Sequence, residues 1–241
     1  MHFEVCVESL EGALAARRGG ATRIELCSSL IEGGLTPSAG LIREVKRHCG
    51  LPVHVMVRPR SGDFLYTGPE LEVMLSDIEF CHFAEVDGLV FGALDSQGEV
   101  DVQAMQQLVR AAGNLPVTFH RAFDVCRTPV RALEQLLALG VRRILTSGQQ
   151  KTAFEGRQLI AALERQARGR IILLAGSGVS PQNVLALLQE TRVREIHFSA
   201  RSGAPSHPVQ VREHLKFGVS EEHWVTSEEN VRAVVRAVLG Q

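Results

Sequence analysis

Cys6 lies in the β-rich run FEVCV (3–7), and Cys27 directly follows a second, RIEL (23–26). Adjacent strands are about 4.8 Å apart. If the two runs are neighbours and the two side chains share a face, their sulfurs can bridge a soft Cu(I) ion. Met56, in VHVMV (53–57), is a third candidate ligand. The competing reading is structural, because unpaired cysteine commonly serves as a small buried hydrophobe. A different chemistry gathers in PVTFHRAFD (116–124), where a hydrophobic strand ends in His120, Arg121 and Asp124. An imidazole exchanges a proton near neutral pH, so His120 partnered by Glu8 or Glu25 could act as general acid or base. Against this, His120 could be a hydrogen-bonded core residue, and Glu25 could simply neutralise Arg58. In AGSGV (175–179), Gly176 and Gly178 would let backbone N–H groups approach an anion, with Ser199 of HFSARSG (197–203) beside them. A helix starting at Ser180 would point its positive end at the same place; the bland alternative is a tight glycine turn. RPRSGDF (58–64) sets Arg58 and Arg60 beside Asp63, either to clamp an anion or to close an ion-paired loop.

These residues need a frame that gathers them. Eight short β-rich runs recur at 3–7, 23–26, 53–57, 88–92, 117–120, 143–147, 171–175 and 195–198, each followed by a helical pattern. Strand alternating with helix eight times, with no break in composition, predicts an α/β fold, a (β/α)8 TIM barrel forming a single domain over 1–241. An open doubly wound sheet is the alternative. In a barrel alternate strand residues face the axis, and the site lies at the carboxyl ends of the strands. Parity then puts Glu4, Cys6 and Glu8 on one face of the first strand, Glu25 and Cys27 on the second, and His54, Met56 and Arg58 on the third. It adds Thr118 and His120 from the fifth, Thr146 from the sixth, and Glu195, His197 and Ser199 from the eighth. The predicted polar mouth is Glu8, Glu25, Arg58, His120, Thr146, His197 and Ser199. Helix starts are predicted at Thr36-Pro37, Thr128-Pro129 and Ser180-Pro181, each a hydroxyl cap before proline. Thr226 with Glu229 reads as a capping box opening a C-terminal helix over 226–240. Between them, 203–225 reads as a long loop, a lid or a surface excursion.

Composition narrows the function. A formal charge of −1 among 241 residues offers no field for nucleic acid or an anionic membrane. No apolar run approaches the roughly 20 residues of a membrane span, and the charged first twenty residues do not read as a secretory signal. The five cysteines, at 6, 27, 49, 81 and 126, have neither CxxC nor zinc-ligand spacing. Free thiols in a reducing cytoplasm are expected. The expected partner is a copper ion or a small anionic metabolite, with a homo-oligomer left open.

The motifs together resemble the CutC copper homeostasis family: EVCVES, RIELC followed by EGGLTPS, RPRSGDFLY, DGLVFGALD, PVTFHRAFD, RILTSG and EIHFSAR, over about residues 3–203. The resemblance implies a (β/α)8 barrel, a cytoplasmic location and a part in copper handling, with Cys6 and Cys27 as Cu(I) ligands. Two departures touch the anion loops: Ser61-Gly62 stands where the family usually has two glycines, and Ser177 where it often has glycine or alanine. A two-thiolate copper site requires none of Glu8, Glu25, Arg58 and His120. The second hypothesis is therefore an isomerase, lyase or hydrolase acting on a small phosphorylated metabolite at that mouth.

Overall fold

The computed structural model describes residues 1–205 and 222–240. Eight parallel strands close a barrel in chain order: β1 (His2–Val7), β2 (Arg23–Leu26), β3 (Val53–Met56), β4 (Gly88–Phe91), β5 (Val117–Phe119), β6 (Arg143–Thr146), β7 (Ile172–Gly176) and β8 (Glu195–Phe198). The ring is completed by β8 against β1, with Glu4 opposite His197. Around it run α1 (Leu10–Arg18), α2 (Ala39–His48), α3 (Gly68–Phe83), α4 (Val102–Ala112), α5 (Pro129–Ala138), α6 (Arg157–Ala167), α7 (Val184–Thr191) and α8 (Glu228–Leu239). The expected barrel is thus present, with strand limits within one residue of those read from the sequence.

Strand alternation builds two separate interiors. Phe3, Val5, Val7, Ile24, Leu26, Val53, Val55, Leu89 and Phe91 face the helices and belong to the large apolar core. Their neighbours in sequence, Cys6, Met56 and Val90, form a second small cluster with Cys27. Most barrels fill the axis with branched aliphatic residues; here the layer at the amino ends of the strands is charged, with Glu4, Arg23, His54 and Glu195 all buried.

Several helix starts differ from expectation, each for a local reason. Helix α2 is capped by Ser38, which accepts from Leu41 N, because the Thr36 hydroxyl is engaged with the Arg58 backbone and Asp77. Thr128 does precede α5, but its hydroxyl donates to Glu99 Oε1 at 2.8 Å instead of capping. Helix α7 starts only at Val184, after a turn in which Asn183 Oδ1 accepts from Ser180 N. At α8 the cap is Ser227, accepting from Asn230 N, while Thr226 pairs with Arg201 in a strand. That strand, β10 (Glu222–Thr226), runs antiparallel to β9 (Arg201–Pro205), so both ends of the expected 203–225 loop are sheet. The rest of that loop lies outside the described residues.

Candidate functional site

The charged layer is the foundation of the site. Arg23 on β2 reaches Glu4 on β1 with Nε and Glu195 on β8 with Nη2, the latter at 2.6 Å, and Arg143 Nε meets the same Glu195 oxygen at 2.9 Å. Burial alone would raise both carboxyls, but Arg23 and His197 hold Glu4 far below the ordinary carboxylate range, and Arg23 with Arg143 holds Glu195 down. His54, 3.8 Å from Glu4 Oε2, is driven by burial to about 4 and stays neutral. The ionised Glu4 then bonds His197 Nδ1 at 2.8 Å, which orients that ring and leaves its Nε2 toward the barrel mouth.

Above this layer, Cys6 and Glu25 stand in register on β1 and β2. A sulfur of Cys6, a carboxylate oxygen of Glu25 and a ring nitrogen of His197 lie within 4.8 Å of one another. Glu25 is nearly solvent-free, and its Oε1 has no hydrogen-bond partner among the described residues. Burial, reinforced by Glu4, pushes its carboxyl up to about 7 against the attraction of His197 and Arg23. His197 moves the other way: burial disfavours its cation, yet Glu25, Cys6 and Glu4 outweigh that and raise it well above the ordinary imidazole value. The proton demand of Glu25 predicts a pH effect. An acid whose folded value exceeds its unfolded value gives stability at low pH that is lost as pH rises from about 4.3 through 7. Glu25→Gln in the metal-free protein should therefore unfold at higher urea at pH 8, by on the order of 2 kcal/mol, and match the parent at pH 4; equal curves at pH 8 refute this.

Cys6 also belongs to the sulfur patch. Cys27, Met56 and Val90 pack with it, and Leu30 lies against them. The Cys27 thiol donates to Val7 O at 3.7 Å, and burial, aided by Glu25 and Cys6, pushes it well above the ordinary thiol value. A side chain on Gly34 would put its Cβ 3.3 Å from Met56 Cε and 3.6 Å from Cys27 Sγ, and its φ of +92° is one glycine adopts freely.

The mouth opens over these groups as a cavity of about 600 Å³. Cys6, Glu25, Met56, Arg58, His120, His197, Gly178 and Ser199 all line it. Three residues placed there by sequence parity or loop reading do not. Glu8 turns aside to accept from Leu30 N at 2.6 Å. Thr146 points away from the axis, and its neighbour Leu145 lines the cavity instead. Gly176 serves close packing, since a Cβ there would meet Leu145 Cδ1 at 2.6 Å and His197 Cβ at 3.2 Å. Cys27 is buried in the sulfur patch and does not line the cavity. Arg60 closes the ion-paired loop, bonded to Asp63 Oδ1 at 2.9 Å and to Glu70. Asp124 proves to be a loop organiser: it accepts from Thr146 Oγ1 at 2.6 Å, Ser147 N at 2.9 Å, Ser147 Oγ at 2.9 Å and Arg121 Nε at 2.8 Å. Asp124→Ala strands these buried donors and should cost about 2–3 kcal/mol in urea unfolding; a loss under 1 kcal/mol would show that the loop holds itself.

A closed (β/α)8 barrel here carries convergent thiol, imidazole, carboxyl and guanidinium groups at the carboxyl ends of its strands, the place where barrels of this class hold their ligands. The CutC family model matches residues 1–202. A CutC family protein of Bacteroides thetaiotaomicron is 48% identical over 237 residues, covering 98% of this chain and 95% of its own. A human protein named copper homeostasis protein cutC homolog is 51% identical over 200 residues, covering 83% of this chain and 73% of its own. A solved structure from Streptococcus agalactiae bearing the CutC name superposes with TM-score 0.78 at 38% identity, covering 83% of this chain and 98% of that one. Phosphoribosylanthranilate isomerase of Thermotoga maritima, at 13% identity and TM-score 0.61, shares the fold alone. The chain belongs to the CutC family.

Proposed function

We propose that this protein binds Cu(I) through Cys6 and Cys27, with Met56 beside them, and takes part in copper homeostasis in a reducing cytoplasm. The observation that carries this reading is the meeting of three sulfur-bearing side chains in one buried patch that reaches the cavity through Cys6 and Met56. Thiolate and thioether are the donors a soft monovalent copper ion prefers. Ligation must release thiol protons, and Glu25 stands where such a proton can be received. Two supports are independent of geometry: mouse and human relatives bear copper homeostasis names, and all five cysteines are free thiols. No helix among the described residues is long and apolar enough to cross a membrane. Anaerobic competition titration with a chromophoric Cu(I) chelator tests the reading. Tight one-to-one binding that the Cys6→Ser/Cys27→Ser variant loses supports it, and equal affinity of the two proteins refutes it.

A second reading, an isomerase, lyase or hydrolase acting on a small phosphorylated metabolite, draws on Glu25, a carboxyl poised near neutrality inside the cavity. Glu25 and His197 are then the acid–base pair. His120 does not fill that role, because burial and Arg58 push it down to about 3. Conversion of candidate metabolites followed by NMR, and its loss in Glu25→Gln, is the corresponding test.

A further inference from the structure

Arg58 is unusual among the buried arginines. Arg23 and Arg143 are paired with carboxylates. Arg58 is 4% exposed yet meets no carboxylate among the described residues: Nη1 donates to Glu32 O at 2.8 Å and Gly34 O at 3.1 Å, Nη2 donates to Gly62 O at 2.9 Å, and the Tyr66 hydroxyl lies beside the guanidinium. A guanidinium keeps its charge at any physiological pH, and burying that charge without a counter-ion costs several kcal/mol. The three carbonyls fix the plane of the group and leave its Nε–H buried and, among the described residues, unbonded.

His120 presents the same condition. It is 3% exposed, and its Nδ1 accepts from Ala122 N at 3.2 Å. An imidazole that accepts at Nδ1 carries its proton on Nε2, and Nε2 is buried with no partner. Gly92 makes room for this arrangement, since a Cβ there would lie 2.8 Å from His120 Nδ1. The Phe64 ring touches both groups, 4.9 Å from the Arg58 guanidinium carbon and 4.8 Å from the His120 ring centre. All three side chains line the one cavity. Two orphaned N–H donors, one of them cationic, on a shared aromatic wall make a receptor for negative charge.

We propose that the cavity binds a small organic anion whose oxyanion group is held by Arg58 Nε–H and His120 Nε2–H, with Phe64 yielding to admit it. This places the anion at the ends of β3 and β5, not on the glycine loop after β7. The inference gives the second reading its anchoring point, but it requires neither turnover nor copper. Carboxylate and phosphate share the chemistry that these donors recognise, and the cavity accommodates molecules of metabolite size.

Calorimetry and thermal shift on metal-free protein test it, with inorganic phosphate, glycerol 3-phosphate and succinate as probes and glycerol as the uncharged control. At least one anion should bind saturably and raise the melting temperature, while glycerol does neither; phosphate or succinate alone succeeding identifies the oxyanion. His120→Phe removes one donor and should weaken binding about tenfold, and Arg58→Lys, which keeps the charge but loses the fork, by at least as much. His120→Gln, which retains an N–H donor, should recover part of the loss. Should the Arg58 loop fail to fold in its variant, the His120 pair still decides. Because the assay uses metal-free protein, anion binding is scored whatever the copper titration gives, which separates this inference from the copper site. Absence of binding by all three anions, or equal binding by His120→Phe, overturns it whatever a turnover assay shows.

Discussion

Arg23→Met is expected to lower the unfolding free energy by about 3–5 kcal/mol, a large part of the roughly 5–15 kcal/mol available to a domain. The reason is the number of charges that depend on it. Arg23 is bonded to Glu4, which His197 Nδ1 also meets at 2.8 Å, and is one of two arginines bonded to Glu195 among the described residues; Arg23 and both carboxyls are nearly solvent-free. Methionine fills the space but leaves Glu4 ionised with His197 alone beside it, or protonated at a cost. Both carboxyls lie below their ordinary values in the folded protein. A lowered acid contributes stability that is present above its unfolded value, about 4.3, and lost as pH falls through its folded value. The parent should therefore weaken on acidification below that point, and Arg23→Met should lose much of this acid limb. Urea unfolding at pH 7 and pH 3.5 measures both effects. Adding Glu4→Gln and Glu195→Gln to Arg23→Met should recover part of the loss, because the damage comes from unpaired charge. A cost under 1 kcal/mol at pH 7 would mean that water reaches this layer and the ring is not sealed at its base.

Cys6→Ser/Cys27→Ser is expected to reduce Cu(I) affinity roughly a hundredfold or more, about 2.7 kcal/mol or greater. Serine keeps the size and removes the soft donor, so the fold should survive while the site fails. Cys6→Ser alone should cause most of the loss, because Cys6 reaches the cavity and adjoins His197, whereas Cys27 is a buried thiol bonded to Val7 O. Met56→Leu, which exchanges a thioether for an aliphatic of similar volume, should cost less than either cysteine. The affinity should also climb with pH, since copper displaces thiol protons. A flat pH response together with unchanged affinity in the double variant would move copper elsewhere on the protein.

Much of this site was legible from strand parity. Cys6, Glu25, Arg58, His120 and His197 each fall two residues from another inward position, and the register of β1 with β2 brings Cys6 beside Glu25 as that counting requires. Parity failed at β6. Thr146 is expected in the mouth, but the inward positions are Arg143 and Leu145, and Thr146 answers to Asp124. It also failed beyond the strand ends, at Glu8, where the chain turns toward α1 and the carboxylate finds a backbone N–H. Arg23 and Arg143 carry the same period-two signal as the other inward positions, but charged side chains are mostly exposed, so the sequence does not mark these two as part of a sealed layer. The orphaned donors on Arg58 and His120 could not be read from sequence at all, because they depend on which carbonyls and amides the folded loops bring to the other nitrogens.

X-ray absorption of the Cu(I)-loaded protein, prepared anaerobically at one equivalent, bears most directly on the copper assignment. The account predicts a copper shell dominated by sulfur that reverts to nitrogen and oxygen scatterers in Cys6→Ser/Cys27→Ser. A shell of light atoms in the parent, or sulfur scattering that persists in the double variant, would contradict it.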